Sequence, residues 1–274
     1  MNPAPIRKIA LNEWRETRDT LWKYCRLVGA IREVFSKPSP HALHTNLLIR
    51  GRGFTTSTLF KDFSSAGKTF EVILDPPNRR LRIFSNYREP LYVALTGQSL
   101  NALCDETCSL LSDIGVKPPL ERPSFIEGTR GKFDTEPLKV YWRTAATVSR
   151  ILKEIKKDLR GETSPVQLRP DDFSLNLNWF GKSVSLVSEF SAEQVEFGFS
   201  TGDENIDEAY FYIYSFPEST ILEEFTKQGS FIRTRGNLKM AVLPLSKIKS
   251  SRVPGVTVKN FFKRIKPLFK RSDN

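Results

Sequence analysis

The chain has 274 residues, of which 39% are hydrophobic, with 20 Phe and four Trp, and a formal net charge of +11. This is enough apolar material to bury a core, which excludes a disordered chain, and no run of 18 apolar residues marks a membrane span. The charge is uneven: Phe231 to Asn274 holds 12 Lys or Arg against one acid, Asp273, so a neutral body ends in a basic extension that carries the whole +11.

In chain order, Trp14, Thr17, Leu21, Tyr24, Cys25, Val28, Ile31 and Phe35 recur at helical spacing, which predicts a long amphipathic helix stopped by Pro38 and Pro40. Strand-like runs follow at Thr45–Arg50, Phe54–Phe60, Thr69–Leu74, Arg80–Phe84 and Leu91–Leu95, separated by Gly and Pro as hairpin connections require. A helix from Ser99 to Ile114 is expected next, capped by Gly115, and then an extended connector rich in Pro and Gly up to Pro137.

The order then repeats. A helix is expected at Leu138–Leu159, then strands at Phe173–Trp179, Ser183–Phe190, Val195–Phe199 and Tyr210–Phe216, a short helix at Ser219–Gln228 and a run at Leu238–Leu245. Both long helices open on Trp-Arg, at Trp14-Arg15 and Trp142-Arg143, and both precede Ser-Pro, at Ser39-Pro40 and Ser164-Pro165. The expectation is an α+β fold of two similar halves, each a long helix followed by antiparallel strands and a second helix. Its parts are residues 1–116, a connector at 117–137, a second half at 138–254 and a basic tail helix at 255–274.

Met1 to Trp14 has no apolar run of signal-peptide length, and three cysteines is an odd count. Cys104 and Cys108 lie one helical turn apart on an apolar stripe. A reducing, cytoplasmic location is expected, with peripheral membrane association as the alternative.

Several stretches resemble an uncharacterised bacterial family known as a domain of unknown function. Its pattern N-H-W-W-H-V-P-L-Y-V-T-A-R-G-L-T-T-S is met by Pro40-His41-Ala42-Leu43-His44 and, further on, Arg52-Gly53-Phe54-Thr55-Thr56-Ser57. Its F-E-I-E-F-D-F-I-D-H-R-L is similar to Phe70 to Asp75 and Asn78 to Leu81, with Arg79 at the histidine. Its S-P-V-H-F-F-W-G-S-F-D-L begins as Ser164-Pro165-Val166 with Gln167 at the histidine, and its H-E-V-S-S-A-G-F-W-P-G falls on Ala192 to Gly202. Tyr210 to Tyr214 and Pro217-Glu218 also look like the family. The resemblance implies a shared fold and no known activity; the departures fall on His and Trp, so any polar, aromatic pocket the family has is altered here. The positions it offers for a ligand are His41, His44, Arg52, Gln167 and Glu193.

Read without the resemblance, the chemistry is sparse. His41 and His44 are the only histidines, and a zinc site needs three or four ligands, so neither a metal nor another cofactor is expected. No Gly-x-Ser-x-Gly is present, the cysteines lie on apolar helical stripes, and Gly181-Lys182-Ser183 has Asn176 where a phosphate-binding loop needs its leading glycine. Asp203, Glu204, Asp207 and Glu208 read as a solvated hairpin tip, and Glu16, Asp75, Glu193 and Glu196 are carboxylates that could meet in space.

In the tail, Val258, Phe261, Phe262, Ile265, Leu268 and Phe269 share one helical face. Lys259, Lys263, Arg264, Lys266, Lys270 and Arg271 lie on or beside the other. Three occupants compete for this helix: the body of the protein, an anionic membrane surface or acidic partner contacted by the basic residues, and nucleic acid, for which no reader motif is present. The reading is a binding or interaction module rather than an enzyme. The alternative is an enzyme or small-ligand pocket between the halves near His41 and His44, and non-specific nucleic-acid binding is the third reading.

Overall fold

The stripe that starts at Trp14 forms α1 (Leu11–Phe35), which buries Leu21, Tyr24, Cys25, Val28 and Ile31 as its spacing predicts. The structure is a computed structural model, and it describes residues 11–61, 67–117, 127–183, 192–216, 231–235, 238–249 and 254–264. It contains helices and antiparallel strands, the expected α+β class, in two compact units.

The first unit comprises Trp14–Arg143 and Leu168–Phe173. After α1 a 3-10 turn (Pro40–Thr45) leads into β1 (Leu47–Arg50), β2 (Gly53–Thr55), β3 (Leu59–Phe60), β4 (Thr69–Asp75), β5 (Arg80–Ser85) and β6 (Leu91–Ala94). These strands take the order β1-β2-β4-β5-β6, with β3 also on β4. Gly53 is required where β2 crosses β4, because a Cβ there would lie 2.0 Å from the Leu74 carbonyl oxygen.

The strand expected over Phe54–Phe60 is broken. Ser57 adopts φ 62°, and its N–H donates to Thr55 Oγ1 at 2.8 Å, a local side-chain bond that competes with the ladder. α2 (Leu100–Asp113) matches its expected span: Ser99 caps it by accepting from Ala102 N, and Gly115 closes it at φ +72°.

The described part of the connector is pinned to α1 and to the turn before α2. Gly131 N donates to Gly97 O at 3.0 Å, Asp134 N donates to Thr17 Oγ1 at 3.1 Å, and Gly131 lies so close to Thr20 that a Cβ would come within 2.0 Å of its hydroxyl. α3 (Thr135–Lys157) begins three residues before the expected Leu138, since Pro137 sits in its first turn, where a missing N–H costs nothing. In the core, Tyr141 packs against Trp14 at 5.0 Å and stacks on Phe173 at 5.3 Å.

The second unit comprises Met1–Glu13, Thr144–Gln167 and Ser174–Asn274. β7 (Gln167–Arg169), which the sequence did not announce, straddles the boundary between the units. Next come β8 (Ser174–Ser183), β9 (Ala192–Ser200), β10 (Tyr210–Phe216), β11 (Phe231–Arg235) and β12 (Leu238–Pro244), then α4 (Leu245–Lys249) and α5 (Pro254–Lys263). The order is β8-β9-β10-β12-β11, antiparallel throughout. The strand expected at Ser183–Phe190 lies, past Ser183, outside the described residues, as does the helix at Ser219–Gln228.

Cross-strand registry gives this sheet two unlike faces. Leu175, Phe199, Phe211 and Leu243 align across one, as do Leu177, Phe197, Ile213 and Ala241, and all eight are buried. α5 lays Phe262 onto this face, edge to face with Phe197 at 5.4 Å and with Phe211 at 5.8 Å. Val258, Phe261 and Phe262 are all at or below 3% exposure, so the apolar side of the tail helix docks on the protein's own core as far as Lys263. Burial of each such Phe stabilises the unit by about 1.5–3 kcal/mol.

Candidate functional site

The other face of the second unit's sheet is polar, and it too is buried. Along β8 the side chains alternate Ser174, Leu175, Asn176, Leu177, Asn178, so the two asparagines share a face with each other and not with the leucines. Registry then sets Asn178 opposite Glu196 and Tyr214 in one row, and Asn176 opposite Gly198 and Tyr212 in the next. Asn176 and Glu196 are fully buried, Asn178 is 7% exposed, and Tyr212 and Tyr214 are 5% and 8% exposed.

Gly198 organises this face. A Cβ on it would fall 2.0 Å from Tyr212 Cζ, so the Tyr212 ring occupies the space over the glycine, and its hydroxyl donates to Glu196 Oε1 at 2.6 Å. Tyr214 donates to Glu196 Oε2 at 3.2 Å. The two rings are parallel to within 8° at a centroid separation of 6.5 Å, and Met240 and Val242 pack against them. The result is an aromatic surface with a carboxylate set into it, both carboxylate oxygens accepting from phenols.

Beside it the asparagines are unsatisfied. Both Nδ2 and Oδ1 of Asn176 lack a hydrogen-bond partner, and so does Oδ1 of Asn178. A buried, unpaired polar group costs about 1–3 kcal/mol, so native interiors seldom keep two together without a use for them. Such a face can hold a ligand by its donors and acceptors.

The edge of the face is clamped. Arg233 Nη1 donates to Asp203 Oδ2 at 2.5 Å and to Tyr210 Oη at 3.2 Å, and Tyr210 Oη donates to the same Asp203 oxygen at 2.7 Å. Burial pushes the Asp203 carboxyl up, but the bonds from Arg233, Tyr210 and Asn205 N–H outweigh it and hold the group at about 2. Burial and the neighbouring Asp203 push Tyr210 up to about 12. Glu208 accepts from Ser246 N and Oγ at 2.8 and 2.7 Å. The segment read as a solvated hairpin tip is therefore in part a bonded corner, because partners distant in sequence reach its carboxylates.

The model of a family of unknown function (DUF5996) matches residues 6–265, nearly the whole chain. The protein belongs to this family. No curated protein and no solved structure matches it.

The ligand positions suggested by the resemblance are divided between the two units. His41 and His44 share the 3-10 turn of the first, where His41 and Ala42 adopt φ 58° and 50° and His44 Nδ1 accepts from Ser39 N at 3.3 Å. That bond closes the turn on itself. Arg52 lies in the exposed turn between β1 and β2. In the second unit Gln167 is 1% exposed with both amide atoms unpaired, and Glu193 lies in β9, its side chain outside the description.

Of the tail residues, Lys259, Lys263 and Arg264 are described, and Lys263 Nζ stands 3.7 Å from Asp158 of the same unit. Lys266, Lys270 and Arg271 lie outside the described residues.

The loose carboxylates acquire separate partners. Glu16 pairs with Lys132 at 2.5 Å, Asp75 pairs with Arg82 at 2.8 Å and accepts from Asn78, and Glu196 joins the tyrosines. Burial pushes the Cys25 thiol up, the behaviour of an inert core cysteine. Among the described residues no three His, Cys, Asp or Glu side chains are placed to hold a metal, and no helix is long and apolar enough to cross a membrane.

The chemical sequence reading missed Asn176, Asn178, Tyr212 and Tyr214. A signal was present: S-L-N-L-N and Y-F-Y-I-Y both alternate with period two. That pattern ordinarily sends its polar face to solvent, and only the structure shows it buried.

Proposed function

We propose that this protein binds a small polar molecule on the buried polar face of its second unit, and that it acts by binding and not by catalysis. The observation that carries this is Asn176, fully buried with both amide atoms unpaired, beside a carboxylate and two parallel tyrosine rings. A side chain that only filled the core would be served better by Leu, which brings no desolvation cost. Glu196 sets a carboxylate into the face, and both its oxygens accept hydrogen bonds from tyrosines, an arrangement suited to holding a ligand in place.

The test is to purify the protein, denature it and identify released small molecules by mass spectrometry, with Asn176→Leu in parallel. Wild type releases a stoichiometric polar compound and the variant does not. Release of nothing by wild type, or of the same compound in equal amount by both, refutes the reading.

A second reading is favoured by the docking of α5. With Phe261 and Phe262 turned into the core, Lys259 and Lys263 remain on the opposite side, Lys263 with its side chain 49% exposed. Contact with an acidic partner surface through these residues predicts binding to anionic vesicles or to an acidic resin that falls with salt and is lost in Lys259→Glu/Lys263→Glu. Retention unaffected by either change refutes it.

A further inference from the structure

Apart from the face just described, we propose that Arg32 anchors a second site, in the first unit at the last turn of α1, that takes an oxyanion presented as a carboxylate or phosphate group. Helical geometry puts this cation on the buried side. Val28, Cys25 and Leu21 stand four, seven and eleven residues before it, in nearly the same direction around the helix, and all three are 0% exposed. Arg32 therefore ends a row that is otherwise apolar, and its side chain leans back over the preceding turn, as helical side chains do.

There its charge has no counterpart. Arg32 Nε and Nη1 are shut off from solvent and neither has a hydrogen-bond partner, and among the described residues no carboxylate pairs with the guanidinium. The positions one turn away, Val28, Gly29, Phe35 and Ser36, hold no acid. Burial lowers the pKa of Arg32, but a guanidinium stays protonated at neutral pH and cannot shed its charge as a buried lysine can. The negative end of α1 favours a cation at this position. A side chain lying in water would gain that equally, so the helix dipole does not account for the burial of Nε and Nη1.

The remaining nitrogen, Nη2, is the way in: Arg32 as a whole is part-exposed, and Nη2 is not among the enclosed atoms. Nη2 forms one N–H fork with Nη1 and another with Nε, and a carboxylate or phosphate group places two oxygens on either fork. A neutral polar molecule would satisfy the N–H groups and leave the buried charge uncompensated, which is why the ligand is an anion.

The experiment is titration of the full-length protein in Tris buffer at fixed ionic strength with inorganic phosphate, acetate and citrate, sodium chloride being the control. The readouts are Tm and the arginine Nε–H resonances of isotope-labelled protein. At least one oxyanion is expected to raise Tm saturably and to move one Nε–H resonance that is missing from Arg32→Met. Whether phosphate or the carboxylates act names the group. Arg32→Met is expected to weaken binding tenfold or more. Arg32→Lys, which keeps the charge and loses the fork, identifies the resonance should Met disturb folding, and is expected to weaken binding several-fold. Binding of no oxyanion, an equal response to chloride, or binding unchanged in both variants overturns the site.

Discussion

Asn176→Leu separates a ligand site from a merely polar core, because the two assign opposite signs to its effect on stability. Asn176 is fully buried, and neither amide atom has a hydrogen bond from the protein. Removing an unsatisfied buried group recovers about 1–3 kcal/mol, and refitting Leu beside the Tyr212 ring costs under about 1.5 kcal/mol for a side chain of similar size. The net expectation runs from almost no change to stabilisation of about 3 kcal/mol, or up to roughly 12 °C in Tm at about 2–4 °C per kcal/mol for a chain of this scale. Saturating ligand reverses the order: at a hundred times Kd it adds about 2.7 kcal/mol to wild type and nothing to a variant that no longer binds. The assay is differential scanning calorimetry of stripped wild type and variant, with and without ligand. A stripped variant that melts below stripped wild type by more than a few degrees refutes the reasoning, since the amide would then be bonded within the protein.

Other expectations concern what surrounds the site. Phe262→Ala removes a side chain 1% exposed that packs on Phe197 and Phe211, and should cost about 3–5 kcal/mol by urea denaturation; a loss under about 1 kcal/mol would show that α5 does not complete the core. Gly198→Ala forces Tyr212 off the sheet and should destabilise by about 1–3 kcal/mol with a changed tyrosine near-ultraviolet circular dichroism signal; an unchanged spectrum would contradict the placement of that ring. Asp203, held at about 2 in the folded protein, contributes stability that is complete above the ordinary carboxylate range near 4 and is lost as pH falls from there through 2. Asp203→Asn should therefore flatten the acid limb of a stability-against-pH curve, and coincident limbs would show the clamp to be idle.

Much of the fold was legible because burial writes itself as periodicity. α1, α2 and α3 follow from stripes of Leu, Val and Ile at helical spacing, and β4, β5 and β6 from branched runs between Gly and Pro. β7 and β11 were not legible: three residues at Gln167–Arg169 and the mixed Phe231–Arg235 carry too little pattern, and pairing with neighbours decides them. The internal duplication remains a proposal resting on the Trp-Arg and Ser-Pro pairs. β12 lies between β10 and β11 in the second unit, whereas β4, β5 and β6 follow in sequence order in the first.

For the site, family-patterned positions pointed to His41, His44 and Arg52 in one unit and to Gln167 and Glu193 in the other, while the polar cluster arose from residues that pair only through sheet registry. Asn176, Glu196 and Tyr212 are separated by 20 and 16 positions, and no local pattern joins them. Chain reversal between β8, β9 and β10 does.

The most direct test of the central claim is a high-resolution crystal structure of the protein as purified, read at Asn176. Non-protein density within hydrogen-bond reach of both Nδ2 and Oδ1, lying over the Tyr212 ring, is the predicted result. A carboxamide bonded on both atoms by protein groups, with side chains filling the space over the Tyr212 ring, would contradict the account.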